Sequence, residues 1–241
     1  MAYFHKQIVS NQDPSVVFTL APLTRELVIS SAELLTDIFL QDEPINLFFK
    51  PKRENFLHFC TEFAKKNCRE NIGIVVLSSS NELIGACLNE DYYTVESDNF
   101  LTPEILSYDG VREFCTLTQK NFDQNPDVFP LPAEPRSHVH LDLWGIHQKY
   151  QRHGIFKQLI NFVIKEHPLL KNTKKFTVEP TSDISTQGFL KNGFRVHRET
   201  LLEDFLINEN GEKPMEGFEE KMKEIGKNGC KFSRLLIWDR N

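Results

Sequence analysis

Residues Leu143 to Leu159 read LWGIHQKYQRHGIFKQL, an apolar strand that passes through a short loop straight into an amphipathic helix. The loop holds a single glycine, Gly154, next to Arg152 and His153. The first turn of a helix leaves four N–H groups without intrahelical partners and carries the positive end of the dipole. Where such groups converge they hold a phosphate or pyrophosphate, and a glycine lets the backbone approach the ligand closely. An ordinary strand-to-helix turn has the same composition, so one glycine leaves both readings open. Ile155, Leu159, Ile160, Phe162 and Val163 then recur at helical spacing through Gln151–His167, and Pro168 ends the helix.

Outward from this block, strands and helices alternate. Val16–Leu23 is rich in β formers, and Arg25–Leu40 carries a helical apolar stripe. Asp42-Glu43-Pro44 reads as a loop, because the residue before a proline is pushed out of the helical region. Pro51 suits the first turn of a second helix. Ile72–Leu77 and Leu83–Val95 read as a hairpin. A helical stretch follows at 103–122, then a proline-rich connection. Ser137–Ile146 alternates and then turns apolar, as a half-buried strand does. Lys175–Glu179 is a strand, Asp183–Asn192 a helix closed by Gly193, and Phe194–Glu199 a strand. A polar stretch near 208–213, a helix at Glu216–Ile225 and a last strand at Phe232–Trp238 complete the chain. This order predicts a mixed α/β sheet. Residues 1–14 read as a loose N-terminal arm, and 15–241 as a single domain with an insertion at about 96–136.

The 241 residues include 20 Phe and are 40% apolar, enough for a sizeable core. With Lys and Arg at 28 against Asp and Glu at 34, the net charge is −6. That gives no footprint for nucleic acid and mildly favours a cationic small substrate. The five cysteines are odd in number and contain no CxxC pair, so neither a metal site nor a disulfide framework is expected. Residues 1–14 lack the apolar core of a signal peptide, and no apolar run approaches the ~20 residues of a membrane span. A cytoplasmic monomer, without membrane or nucleic-acid partners, is the expectation.

The run Ile146–Phe156 resembles the acyl-CoA signature of the GNAT N-acetyltransferase superfamily, (Gln/Arg)-x-x-Gly-x-(Gly/Ala) opening a helix. Gln151 and Gly154 match; Phe156 stands where a small residue is usual. Asp183–Phe194, ending FLKNGF, resembles the family's later block, and together the two cover roughly 138–200. Leu40–Asn46 contains Asp-Glu-Pro-Ile-Asn, similar to a stretch of the insect- and nematode-type arylalkylamine (dopamine-like) N-acetyltransferases. The resemblance implies an α/β (α+β) fold whose mostly antiparallel sheet contains a splayed strand pair. It also implies direct acetyl transfer from acetyl-CoA to a small primary amine. Dopamine, serotonin, octopamine and tyramine head the acceptors; polyamines, protein amines, or acyl-CoA binding without turnover are the alternatives.

Amine acylation must take a proton from an ammonium, stabilise an oxyanion and release a thiolate. By resemblance, Glu43 is the general base, its pKa raised by burial. His140 matches a relay histidine of vertebrate-type enzymes, with His138 and Asp142 beside it on the strand. Ser185 matches a serine proposed for the insect-type enzymes, and Thr181 falls at its partner's place, with Ser182 adjacent. A helix-capping hydroxyl explains Ser185 equally well. Phe189 occupies the place of the family's tyrosine acid and has no proton to give. Leu143, Trp144 and Ile146 are expected to offer backbone groups to pantetheine, and Gln151, Arg152, His153, Gly154, Ile155 and Phe156 to form the pyrophosphate loop. Leu47-Phe48-Phe49 and Tyr92-Tyr93 suit either an aromatic pocket wall or the core.

Overall fold

The computed structural model describes residues 4–93, 100–129, 134–205, 211, 213–226 and 231–240. Among the described residues, eight strands form one sheet in the order β1-β2-β3-β4-β5-β6-β8-β7. They are β1 (Lys6–Val9), β2 (Val17–Pro22), β3 (Ile74–Leu77), β4 (Leu83–Asp91), β5 (His138–Ile146), β6 (Lys175–Val178), β7 (Arg195–Leu201) and β8 (Phe232–Asp239). β5 and β6 run parallel, and the other neighbouring pairs run antiparallel.

On one face lie α1 (Val28–Asp42), α2 (Pro44–Phe49), α3 (Arg53–Glu70), α4 (Val111–Gln124) and α8 (Phe218–Glu224), which share a core with Val75, Ala86 and Leu143 of the sheet. On the other lie α5 (Ile155–Lys165) and α6 (Asp183–Leu190), packed on Val139, Leu141 and Phe176. The short α7 (Leu202–Phe205) follows β7 directly. α5 buries Ile155, Leu159, Ile160, Phe162, Val163 and Ile164. At about 1.5–3 kcal/mol for each such side chain, this face pins the helix, and with it the loop before it, to the sheet.

The proposed N-terminal arm is not wholly loose. Lys6–Val9 pairs with β2, from Lys6 opposite Leu20 to Val9 opposite Val17. The alternation that supports it is short: Ile8 is buried while Gln7 and Val9 face solvent. The Asp42–Pro44 loop also shrinks to one residue, since α1 runs to Asp42 and α2 starts at Pro44. α3 and α5 begin at Arg53 and Ile155, each a few residues later than the spacing predicts. Val95 and most of 208–213 lie outside the described residues.

One irregularity controls the site. Leu88 faces Leu143 and Asn89 faces Leu141 across the β4–β5 ladder, so Asp142 is an extra residue on β5. Such a bulge shifts the alternation by one and re-aims the side chains beyond it. Val139 and Leu141 pack toward α5, Leu143 packs toward α1 and α3, and Trp144 and Ile146 turn back toward α5.

Candidate active site in the split between two strands

The ladder between β5 and β6 ends at Leu141 opposite Val178, although β5 continues to Ile146. β6 itself ends there, and a cleft of about 280 Å³ opens between the rest of β5 and the segment that follows β6. Glu43, Thr181, Ser185, His140, Trp144, Ile146, Gln151 and Phe156 all line it. Leu143, Arg152, His153, Gly154 and Ile155 do not: the first and last are core side chains, and the other three belong to the loop beyond Gln151.

Glu43 sits at the junction of α1 and α2, only 8% exposed. Its Oε1 accepts from the Ile45 N–H at 2.9 Å and its Oε2 from the Asn46 N–H at 2.6 Å. Pro44, with no N–H and a fixed φ, fits the first helical position. Thr181 lines the same cleft, and its hydroxyl lowers the Glu43 pKa slightly. Burial pushes the Glu43 pKa up to about 7, against the pull of those donors. A carboxyl that titrates near neutrality and faces a cleft can take a proton from an ammonium group.

Ser182 caps α6, and its hydroxyl accepts from the Ser185 N–H at 3.2 Å. The two hydroxyls lie 2.8 Å apart, and Ser185 Oγ donates to the Ser182 carbonyl at 2.9 Å. Ser182 is thus the cap and Ser185 its reciprocal partner, accepting from the Ser182 N–H at 3.4 Å while still lining the cleft. Phe189 is buried, 5.0 Å from the Phe156 ring and 6.0 Å from Trp144. Phe156 therefore points inward between α5 and α6, where a Cβ on Gly188 would come within 2.7 Å of it. Its bulk is directed away from the loop backbone.

His140 and His138 share one partner. His140 Nδ1 lies 3.0 Å and His138 Nε2 2.9 Å from Thr177 Oγ. A hydroxyl has one proton, so it donates to one ring and accepts from the other. Burial holds both imidazoles down to about 3, which keeps them neutral. Asp142, aimed into the cleft by the bulge, is pushed up to about 8 by burial and by the nearby Glu90. Glu179 also lines the cleft and is raised well above its ordinary value by burial, although Asn121 and Thr118 lower it in part. Nothing in the sequence singles Glu179 out: its surroundings come from α4, more than fifty residues away in the chain.

At the other end of the cleft, the backbone of Arg152 has φ +67° and that of Gly154 φ +76°. Left-handed residues just before a helix turn successive N–H groups toward one side, the concavity that binds anions. The turn between β1 and β2 braces the loop from behind. Asn11 N–H donates to the His153 carbonyl at 3.0 Å, and Gln12 Nε2 to the Arg152 carbonyl at 3.2 Å. Ser10 Oγ lies 2.8 Å from His153 Nδ1. The carbonyls are engaged on that side, and the first N–H groups of α5 have no intrahelical partner. Among the described residues no group of three or more His, Cys, Asp or Glu side chains is placed to hold a metal ion. Burial raises the thiols of Cys60, Cys87 and Cys115, so none is a ready thiolate. Cys230 lies outside the described residues.

The overall architecture recurs in solved structures. The C-terminal condensation domain of Ebony, in complex with β-alanyl-dopamine, superposes with a TM-score of 0.67 at 16% identity, covering 92% of this chain and 99% of that one. Arylalkylamine N-acetyltransferase 2 from Aedes aegypti gives 0.63 at 16% identity, with 93% and 99% covered. An agmatine N-acetyltransferase gives 0.60 at 12% identity, with 92% and 100% covered. The chain has the GNAT fold. No protein-family profile matches the sequence, and no curated protein matches it either. At this identity the likeness extends to architecture, and the chemistry rests on the residues in the cleft.

Proposed function

We propose that this chain transfers an acetyl group from acetyl-CoA directly to a small primary amine. Glu43 carries the reading: a buried carboxyl in the cleft, pushed up to about 7 and held by two N–H groups. The ammonium of the acceptor gives its proton to Glu43. The freed amine attacks the thioester carbonyl, an N–C bond forms as the C–S bond breaks, and the departing thiolate takes up a proton. Ser185 and Thr181 are the hydroxyls lining the cleft that suit that last step, since Phe189 has none. The loop Gln151–Phe156 binds the CoA pyrophosphate, and the edge of β5 from Leu143 to Ile146, released from β6, offers its backbone to the pantetheine arm.

The Asp-Glu-Pro stretch and the aromatic wall of Phe39, Phe114, Trp144 and Phe232 support an arylalkylamine as the first acceptor class to test. A thiol-release assay with acetyl-CoA tests the proposal on dopamine, serotonin, tyramine, agmatine, spermidine and a lysine peptide. Turnover of small amines upholds it. Turnover restricted to the peptide would move the acceptor to protein amines. No turnover while acetyl-CoA still binds would leave an acyl-CoA-binding protein.

A further inference from the structure

α4 separates two cavities. Phe114, Leu117 and Thr118 face the cleft, while Cys115, Gln119, Phe122 and Asp123 face a chamber of about 490 Å³ behind it. Phe114, Thr118 and Asp142 line both, so the cleft and the chamber meet at Asp142. The chamber is walled by aromatic rings, among them Tyr92, Phe100, Phe122 and Phe129, with Glu90 and Asp123 between them. Glu179 lies on the cleft side of the junction; its Oε1 is fully shielded from water and has no hydrogen-bond partner.

The carboxyl groups around the junction outnumber the cations beside them. Lys66, fully buried on α3, is 2.9 Å from Glu70 and 3.9 Å from Glu90, so one ammonium already serves two carboxylates. Among the described residues no ion pair reaches Asp142 or Glu179. An acceptor with one amine and an apolar body would place its ammonium at Glu43 and leave these two groups as they are. Carboxylates beside aromatic faces are the surroundings that a desolvated cation prefers.

We propose that Asp142 and Glu179 form a second cation subsite, and that the preferred acceptor carries an ammonium or guanidinium group at the end away from the reacting amine. This rests on the N-acetyltransferase reading above and narrows its acceptor. The planar fork of a guanidinium suits two carboxylates better than a point charge does. The spacer between the two cations, alkyl or aryl, passes along Phe114 and Thr118.

The test compares matched acceptors that differ only in the far group: diaminopentane and guanidinobutylamine against pentylamine. The dications are expected to exceed pentylamine by about tenfold or more in kcat/KM, mostly through KM. In Asp142→Asn and Glu179→Gln, which keep shape and remove charge, that ratio falls toward one. A merely structural role would lower all three acceptors alike. Equal kcat/KM for monocation and dications in the unaltered protein overturns the subsite, as does a dication preference that survives both substitutions. If no amine is turned over, the transfer reading fails by itself, and calorimetric titration of diaminopentane still tests the subsite. Binding that both variants weaken sustains it; no binding, or binding they leave unchanged, overturns it.

Discussion

The two ends of the cleft are built in opposite ways. The loop end, Gln151–Phe156, is one continuous segment between β5 and α5, braced by the neighbouring turn at Ser10–Gln12. The acceptor end is assembled from Glu43 between α1 and α2, Asp142 on β5, Glu179 after β6 and Thr118 on α4. The loop end relies on backbone groups that local conformation aims. The acceptor end relies on carboxyl groups whose character comes from burial by distant segments. A substitution at the first should act on affinity for acetyl-CoA, and one at the second on turnover and acceptor choice.

Glu43→Gln is the hardest test of that division. Glutamine keeps the shape and one acceptor oxygen for the α2 N–H groups but cannot take the proton. We expect kcat to fall by about 10²- to 10⁴-fold, the usual worth of a positioned general base. Acetyl-CoA affinity, measured by equilibrium titration, should stay within about twofold. Parallel losses in both would make Glu43 a helix cap and nothing more.

Gly154→Val probes the other end. A β-branched side chain at φ +76° is strained, and the new Cβ would lie 2.9 Å from the Asn11 side chain. The strain costs about 1–3 kcal/mol. If it is relieved by displacing the loop, acetyl-CoA binding weakens roughly ten- to hundredfold, while kcat at saturating acetyl-CoA changes little. Unchanged affinity would remove the loop from the binding site and break the comparison at its more regular end.

This contrast also accounts for what could be read from the sequence. The strand-to-helix block from Leu143 to Leu159 was legible, because apolar periodicity and one glycine are local signals; its parallel pairing with β6 was not singled out. Glu43 was singled out by the uncommon Asp-Glu-Pro stretch, and it lines the cleft. β1 was not: four residues of alternation before a polar turn look like an arm until β2 is there to pair with them. Asp142 sits in an alternating strand, and its aim depends on a one-residue bulge that only the β4 partner reveals. Glu179 carries no local pattern at all, since its burial is supplied by α4. Phe156 departs from the family pattern in sequence, yet in space it is a packing residue against Phe189 and Gly188.

The pH profile sharpens the acceptor end. With Glu43 titrating at about 7, the proton-accepting form is lost as pH falls. For acceptors whose amine stays protonated throughout, kcat/KM should drop about tenfold between pH 8 and pH 6 as Glu43 protonates. The inflection should vanish in Glu43→Gln. A flat profile in the unaltered protein would show that this carboxyl does not gate turnover.

The smallest effect expected is on folding. Asp142 is pushed up to about 8 in the folded chain, against ~3.9 in an unfolded one. A carboxyl whose folded pKa is raised binds its proton more tightly when folded. Its contribution is therefore intact below about pH 4 and is lost as pH rises through the window from about 4 to about 8. Asp142→Asn removes the charge and with it that loss. At pH 9 the variant should melt above the unaltered protein by at least roughly 2–4 °C, the ~1 kcal/mol left if Lys66 and water entering the cleft relieve most of the ~5 kcal/mol in a shift of this size, and at pH 4 the two should coincide. Site assembly at the acceptor end would then carry a measurable stability cost, one that a cationic acceptor lowers when it enters the cleft. Coincident melting at both pH values would mean that water or a neighbouring cation already compensates Asp142.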